Sequence, residues 1–172
     1  MKKMFKLGWL LLLACLLLTS CGKKTVAEET TTPVQTEHPI IVISEVTAQA
    51  GKTAEVELTV WNNPGIVGMT LELEYDENVL TLVNVKRGDA LEELNFTKPK
   101  DLKSGCHFPW DAETVSAEQA TNGVALILTF EVSDTAAVGD YIVSVRSYGD
   151  AIDNDLAPVP LLYDDGAIKV SQ

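Results

Sequence analysis

Residues 67–75 read Val67-Gly68-Met69-Thr70-Leu71-Glu72-Leu73-Glu74-Tyr75, and this stretch decides the fold. Met69, Leu71, Leu73 and Tyr75 recur at every second position, with Gly68, Thr70, Glu72 and Glu74 between them. Successive side chains of an extended chain point to opposite faces, so the pattern describes a strand with one face inward and one face open. Residues 123–132 repeat it, with Val124, Leu126, Leu128, Phe130 and Val132 expected on one face.

Working outward, the same two-residue period marks Ile40 to Val46 and Thr53 to Val60. In the second of these, Val56, Leu58 and Val60 alternate with Glu55, Glu57 and Thr59. Asn62-Asn63-Pro64-Gly65 is a turn signal. Further strands are expected at Val79 to Lys86, Tyr141 to Arg146 and Ala167 to Val170, and a weaker one around Cys106 to Trp110, where Pro109 has no N–H for a ladder. Ala112 to Ala120 has room for one turn of helix at most. Short alternating strands between turns, without a helical stripe, imply an all-β antiparallel sandwich.

The N-terminus has a different character. Met1 to Lys6 is basic, and Leu7 to Leu18 is a 12-residue apolar run, suited to a secretory signal and short for a bilayer span. The run ends in Leu18-Thr19-Ser20-Cys21-Gly22, which resembles the lipobox of bacterial lipoproteins. That resemblance implies removal of residues 1–20 and thioether linkage of a diacylglycerol to Cys21, whose thiolate is the required nucleophile. Two or more acyl chains make a stable membrane anchor, at roughly 0.8 kcal/mol per buried CH2. Residues 22–38, GKKTVAEETTTPVQTEH, are polar and Thr-rich and read as a flexible tether, with a reach of roughly 20–25 Å. The expected organisation is therefore a signal at 1–20, a lipidated cysteine and tether at 21–38, and one domain at 39–172, outside the cell and held on its membrane.

The formal net charge is −12. From Cys21 onward the chain has 10 basic and 25 acidic side chains, a net −15, which repels phosphate backbones and excludes nucleic acid as a partner. If Cys15 is removed and Cys21 lipidated, Cys106 has no disulfide partner and reads as a small buried apolar residue.

Three stretches together resemble cohesins, the modules that bind dockerin domains in cellulosome-type assemblies. The first is Gly65 to Leu80, with its opening strand, the Tyr75-Asp76 corner and Asn78-Val79-Leu80. The second is Asn122 to Val132 followed by Ala137-Val138-Gly139-Asp140-Tyr141. The third is Asp153-Asn154-Asp155-Leu156 with the closing segment Asp165 to Val170. The resemblance spans nearly all of residues 39–172. It implies a nine-stranded jelly-roll sandwich that recognises a dockerin-bearing protein, such as a polysaccharide-degrading enzyme, with calcium in the dockerin and no cofactor or metal here. Carried over position by position, it places partner contacts at Gly68, Thr70, Glu72, His107, Trp110, Asn154, Asp155 and Leu156, with Trp110 and Leu156 as the apolar centre. Gly68 and Thr70 stand where many cohesins carry Asn and Asp. On this reading Trp110→Ala with Leu156→Ala would abolish binding and leave the melting temperature nearly unchanged.

Other chemistries find less support. Glu72 and Glu74 lie about 7 Å apart on one strand, a separation that overlaps glycosidase carboxyl pairs, but paired glutamates on an outer strand are ordinarily just solvated. Cys106 and His107 are adjacent and point to opposite sides of a strand, which excludes a simple Cys–His pair. The cluster Asp150, Asp153, Asn154, Asp155, Asp164 and Asp165 lacks EF-hand spacing and is explained by turn formation. The second reading is direct contact with polysaccharide, which would need Trp61 and Trp110 to share an exposed surface.

Overall fold

The computed structural model describes residues 38–172, which lie in one compact unit, Pro33–Gln172. The expected signal, Cys21 and the tether up to residue 37 lie outside the described residues.

Thirteen strands and no helix make up the described chain, and they form two sheets packed face to face. The first sheet contains β1 (Ile40–Ile43), β3 (Thr53–Trp61), β5 (Leu80–Arg87), β8 (Gly123–Val132) and β12 (Leu162–Asp164), in the order β12-β1-β3-β8-β5. The second contains β2 (Val46–Gln49), β4 (Gly68–Tyr75), β6 (Asn95–Phe96), β7 (Cys106–Asp111), β9 (Gly139–Ser147), β10 (Ala151–Ile152), β11 (Pro158–Val159) and β13 (Gly166–Ser171). In it β4 is central. On one side it pairs with β7, which in turn carries β6. On the other it pairs with β9 and then, at Gly68, with β10. Nine of the thirteen strands are four residues or longer, the number the cohesin resemblance implies; the other four are two- or three-residue pieces.

Two features were not expected. The segment Ile40 to Val46 is not one strand: it breaks at Ser44-Glu45, so that β1 pairs with β3 in one sheet and β2 with β13 in the other. Ser44 secures the crossing, its N–H donating to Glu57 O (2.9 Å) and its hydroxyl accepting from Glu57 N–H (2.9 Å). In addition, β1–β12 and β2–β13 are parallel pairs, so both sheets are mixed.

The alternation seen in the sequence becomes the core. Met69, Leu71 and Leu73 of β4 are buried, opposite Val56, Leu58 and Val60 of β3 and Leu126, Leu128 and Phe130 of β8. Fully burying one such side chain contributes about 1.5–3 kcal/mol. Tyr75 packs edge-on against Phe130 (5.1 Å between centroids) and donates its hydroxyl to Leu102 O (2.8 Å). Val124 departs from its expected inward place, because a bulge between Leu58 and Thr59 shifts the register and buries Ala125 instead.

Pro109 sits inside β7 without breaking the sheet. Thr97 N–H donates to Pro109 O (3.3 Å), so the β6 side is the side on which Pro109 lacks its N–H. That side is the sheet edge, where the ladder is only two residues long.

Candidate partner-binding face

The outer surface of the β7–β4–β9 layer is assembled from cross-strand rows. Register places Gly68 opposite Asp111, Thr70 opposite Pro109, and Glu72 between His107 and Arg146. Glu74 lies opposite Ser144. Beyond Arg146 the chain leaves β9 and Tyr148 N–H donates to Thr70 O (2.8 Å), which brings the Tyr148 side chain beside this surface.

Glu72 and His107 meet at 3.7 Å (Oε2 to Nε2), and the His107 ring lies 4.2 Å from the Tyr148 ring at a 34° tilt. Tyr148 is 61% exposed and Ile142, on the same outward parity of β9, is 56% exposed. Their companions are Pro109 and Ile152, both half-buried, the latter seated across Gly68 where an added Cβ would approach its Cγ1 to 3.1 Å.

The two cations of the surface are already engaged. Arg146 forms a two-pronged pair with Asp165 (2.6 and 2.8 Å) and lies over the Tyr163 ring (5.3 Å). Its hydrogen bonds hold the Asp165 carboxyl below its ordinary pKa, and the carboxylate raises that of Arg146. Lys169 pairs with Glu45 (2.6 Å), and that bond raises its pKa. Glu74 accepts no hydrogen bond from another side chain among the described residues, though its charge acts on Arg146.

The β10–β11 turn completes the surface at the Gly68 end. Asp153 Oδ1 accepts from the N–H groups of Asp155 (2.9 Å) and Ala157 (3.0 Å), and Leu156 N–H donates to Asp153 O (3.0 Å). This closes a tight turn in which Leu156 has φ 58° and is 72% exposed. Asn154 faces elsewhere: its amide clasps Val115, accepting from the N–H (2.9 Å) and donating to the carbonyl (2.6 Å).

The expected site residues thus divide. Thr70, Glu72 and His107 share the open face, Gly68 lies on it under Ile152, and Asp155 and Leu156 sit in the exposed turn. Asn154 is spent on the Val115 backbone. Trp110 requires a correction: it is 2% exposed and packs on Phe96 (5.0 Å) and Phe108 (6.4 Å) in the core. His107 and Trp110 are three positions apart in β7, so strand parity puts them on opposite faces. Tyr148 and Ile142 were missed. Ile142 was legible from the parity of Tyr141, Val143 and Val145, but Tyr148 lies past the strand end and only the Thr70 hydrogen bond reveals its place.

Among the described residues no group of three or more His, Cys, Asp or Glu is placed to hold a metal ion. The Cys106 thiol is pushed up by burial to about 11, so it is protonated at neutral pH. The arrangement presents a wide, shallow, mixed polar and apolar surface, suited to recognising a protein.

Comparison with known proteins agrees with this fold. The cohesin domain family matches residues 40–170. A cellulosome-anchoring protein of Acetivibrio thermocellus is 25% identical over 144 residues, covering 79% of this chain. The chain spans about a third of that protein's length (32%). Among solved structures, the fold is similar to a type I cohesin–dockerin complex from Clostridium thermocellum (TM-score 0.66, 21% identity, 81% of this chain and 97% of that one). It is also similar to a non-cellulosomal cohesin from the archaeon Archaeoglobus fulgidus (TM-score 0.66, 17% identity, 78% of this chain and 92% of that one). With two stacked mixed sheets, an open β7–β4–β9 face and a family match over nearly the whole described region, the chain belongs to the cohesin domain family.

Proposed function

We propose that the chain is a surface-held cohesin module that captures dockerin-bearing proteins on the outer face of β7, β4 and β9 and on the Leu156 turn. The observation that carries this is the outward face on which half-buried Thr70, Glu72 and His107 lie with exposed Tyr148, Ile142 and Leu156, in a chain of this family. The occurrence of dockerin complexes among the similar structures supports the partner class. The role is adaptor rather than catalyst. Anchoring would be through lipid on Cys21, with the domain outside the cell membrane and a polysaccharide-degrading enzyme a fitting cargo.

Direct polysaccharide binding is not retained. It relied on Trp61 and Trp110 sharing a surface; Trp110 is core, and Trp61 ends β3 in the opposite sheet.

The test is a pull-down from culture supernatant and lysate with residues 33–172 as bait, with and without a calcium chelator. Chelator-sensitive recovery of proteins bearing paired calcium-loop repeats is expected; recovery of none contradicts the reading. For the anchor, Cys21→Ser should shift the full chain from the detergent phase to the aqueous phase of a Triton X-114 partition. An unchanged distribution would rule out lipidation at that residue.

A further inference from the structure

The other sheet, β12-β1-β3-β8-β5, has an outer surface whose composition changes along its strands. At one end the outward positions are polar, as an open sheet requires. Thr53 and Glu55 of β3 stand opposite Glu131 and Thr129 of β8, and these opposite Thr81 and Asn84 of β5. At the other end register aligns Leu162 of β12, Ile40 of β1 and Trp61 of β3 in one row, and Val42, Thr59 and Val124 in the next. Ile127, opposite Glu57 and Lys86, continues the apolar area. Leu162 is 42% exposed; Ile40, Val42, Trp61, Val124 and Ile127 are half-buried and do not belong to the core cluster. β1 shows the departure most clearly. Ile41 and Ile43 fill the core, yet Ile40 and Val42 are apolar too, on the face where an open strand carries polar residues.

This end of the sheet is also where the chain enters the domain. Pro39 O accepts from Leu162 N–H (2.9 Å), so the segment leading from Cys21 arrives beside Leu162, Ile40 and Trp61. A tether of the reach expected for residues 22–38, roughly 20–25 Å, keeps this end close to any membrane that holds Cys21. Short linkers give an effective concentration of about millimolar, so a weak apolar contact suffices to orient the domain. The side chains suit a bilayer boundary. Tryptophan settles between headgroups and acyl chains, and aliphatic neighbours add buried apolar area. Asp164, Glu57 and Lys86 border the patch and the domain as a whole is acidic, which favours zwitterionic over anionic headgroups.

We infer that the outer face of β12, β1, β3 and β8, centred on Leu162, Ile40 and Trp61, rests on a zwitterionic lipid surface and so turns the β7–β4–β9 face away from the membrane. This rests on the anchoring at Cys21 proposed above.

The test imposes the anchor chemically. Residues 21–172 are coupled through Cys21 to phosphatidylcholine vesicles carrying a maleimide lipid, with or without acyl-chain bromination, which quenches indole fluorescence at short range. Cys106 is half-buried with its thiol held protonated, so it is spared. Trp110→Phe leaves Trp61 as the single indole of this chain. A second chain, Trp110→Phe with Trp61→Phe and Tyr148→Trp, places the single indole on the opposite face. Trp61 should lose at least about half its emission in brominated vesicles, and the indole at 148 should lose little. Leu162→Glu, at the exposed sheet edge, should abolish the quenching of Trp61 without changing the melting temperature. No quenching of Trp61, equal quenching at both positions, or indifference to Leu162→Glu in a folded chain would each overturn the inference. Because the anchor is imposed, such a failure leaves lipidation at Cys21 standing, as read by the Triton X-114 partition. Quenching at Trp61 alone, with the Cys21→Ser partition unchanged, would refute the natural anchor and leave the affinity of this face for lipid in place.

Discussion

Leu156 holds a left-handed backbone conformation with its side chain in water, a combination that costs about 1–2 kcal/mol for a residue other than Gly and gains nothing from burial. The Asp153 carboxylate enforces that conformation by capping two N–H groups of the turn. Strain of this kind at an exposed apolar residue points to a contact made with something else. Leu156→Asn, which tolerates the conformation, should leave the melting temperature unchanged or slightly higher while weakening partner binding; a fall in both would make Leu156 a structural residue. Trp110 behaves in the opposite way. It fills the space between Phe96 and Phe108, so Trp110→Ala should destabilise the fold by about 3–5 kcal/mol by chemical denaturation. Its indole N–H is buried without an acceptor, so Trp110→Phe should be far milder. Loss of binding from Trp110→Ala would therefore report unfolding. At Cys106, burial keeps the thiol protonated, so iodoacetamide at pH 8 should label it slowly in the native protein and quickly in denaturant. Residue parity was legible wherever alternation was unbroken, as at Met69 to Tyr75. Parity also separates 107 from 110 and places Trp110 inward, against the position the family resemblance implies.

Among the elements, the long strands were readable and the crossings between sheets were not. Ile40 to Val46 alternates without interruption, and nothing local marks Ser44-Glu45 as the place where the chain changes sheets. The evidence for that change lies in a partner, Gly166. A Cβ there would collide with the Ser44 and Ile43 carbonyls, so only glycine lets β13 pass the crossing. Gly166→Ala should lower stability by at least about 2 kcal/mol, whereas Gly139→Ala, at the other end of the β9–β13 pair and open to solvent, should be close to neutral. Similar losses for both would show that the crossing is not the constraint. The Arg146–Asp165 pair ties the end of β9 to the start of β13. Its hydrogen bonds depress the Asp165 pKa, so its contribution is present above the ordinary carboxylate pKa of about 3.9 and is lost as pH falls through the lower folded-state value. Asp165→Asn should therefore be less stable than the native chain at pH 7, by less than about 1 kcal/mol because the pair is partly exposed. The difference should vanish in strong acid. Strands of two or three residues, such as β6 and β10, are too short to carry a period, and their places depend on β7 and β4.

At the scale of the whole molecule, the sandwich followed from the number and period of the strands, and the cohesin relationship from three separated stretches in order. The proposed binding face was only half legible: β4 and His107 were placed there by the family resemblance, whereas Tyr148 and the outward row of β9 emerge only once the sheet places β9 beside β4. The stability of the domain rests on its core, since Cys106 is the one cysteine among the described residues. Its surface is free to be strongly acidic, a property of association more than of fold.

The central claim is that one face of a rigid domain does the binding. It is tested most directly by comparing the native residues 33–172 with the variant Ile142→Ala, Tyr148→Ala and Leu156→Ala in affinity for a recovered dockerin, measured calorimetrically beside the melting temperature of each. The account predicts that the variant loses at least about tenfold in affinity, these being exposed apolar centres of the contact, with a melting temperature within a few degrees of the native one. Undiminished affinity in a folded variant would contradict it.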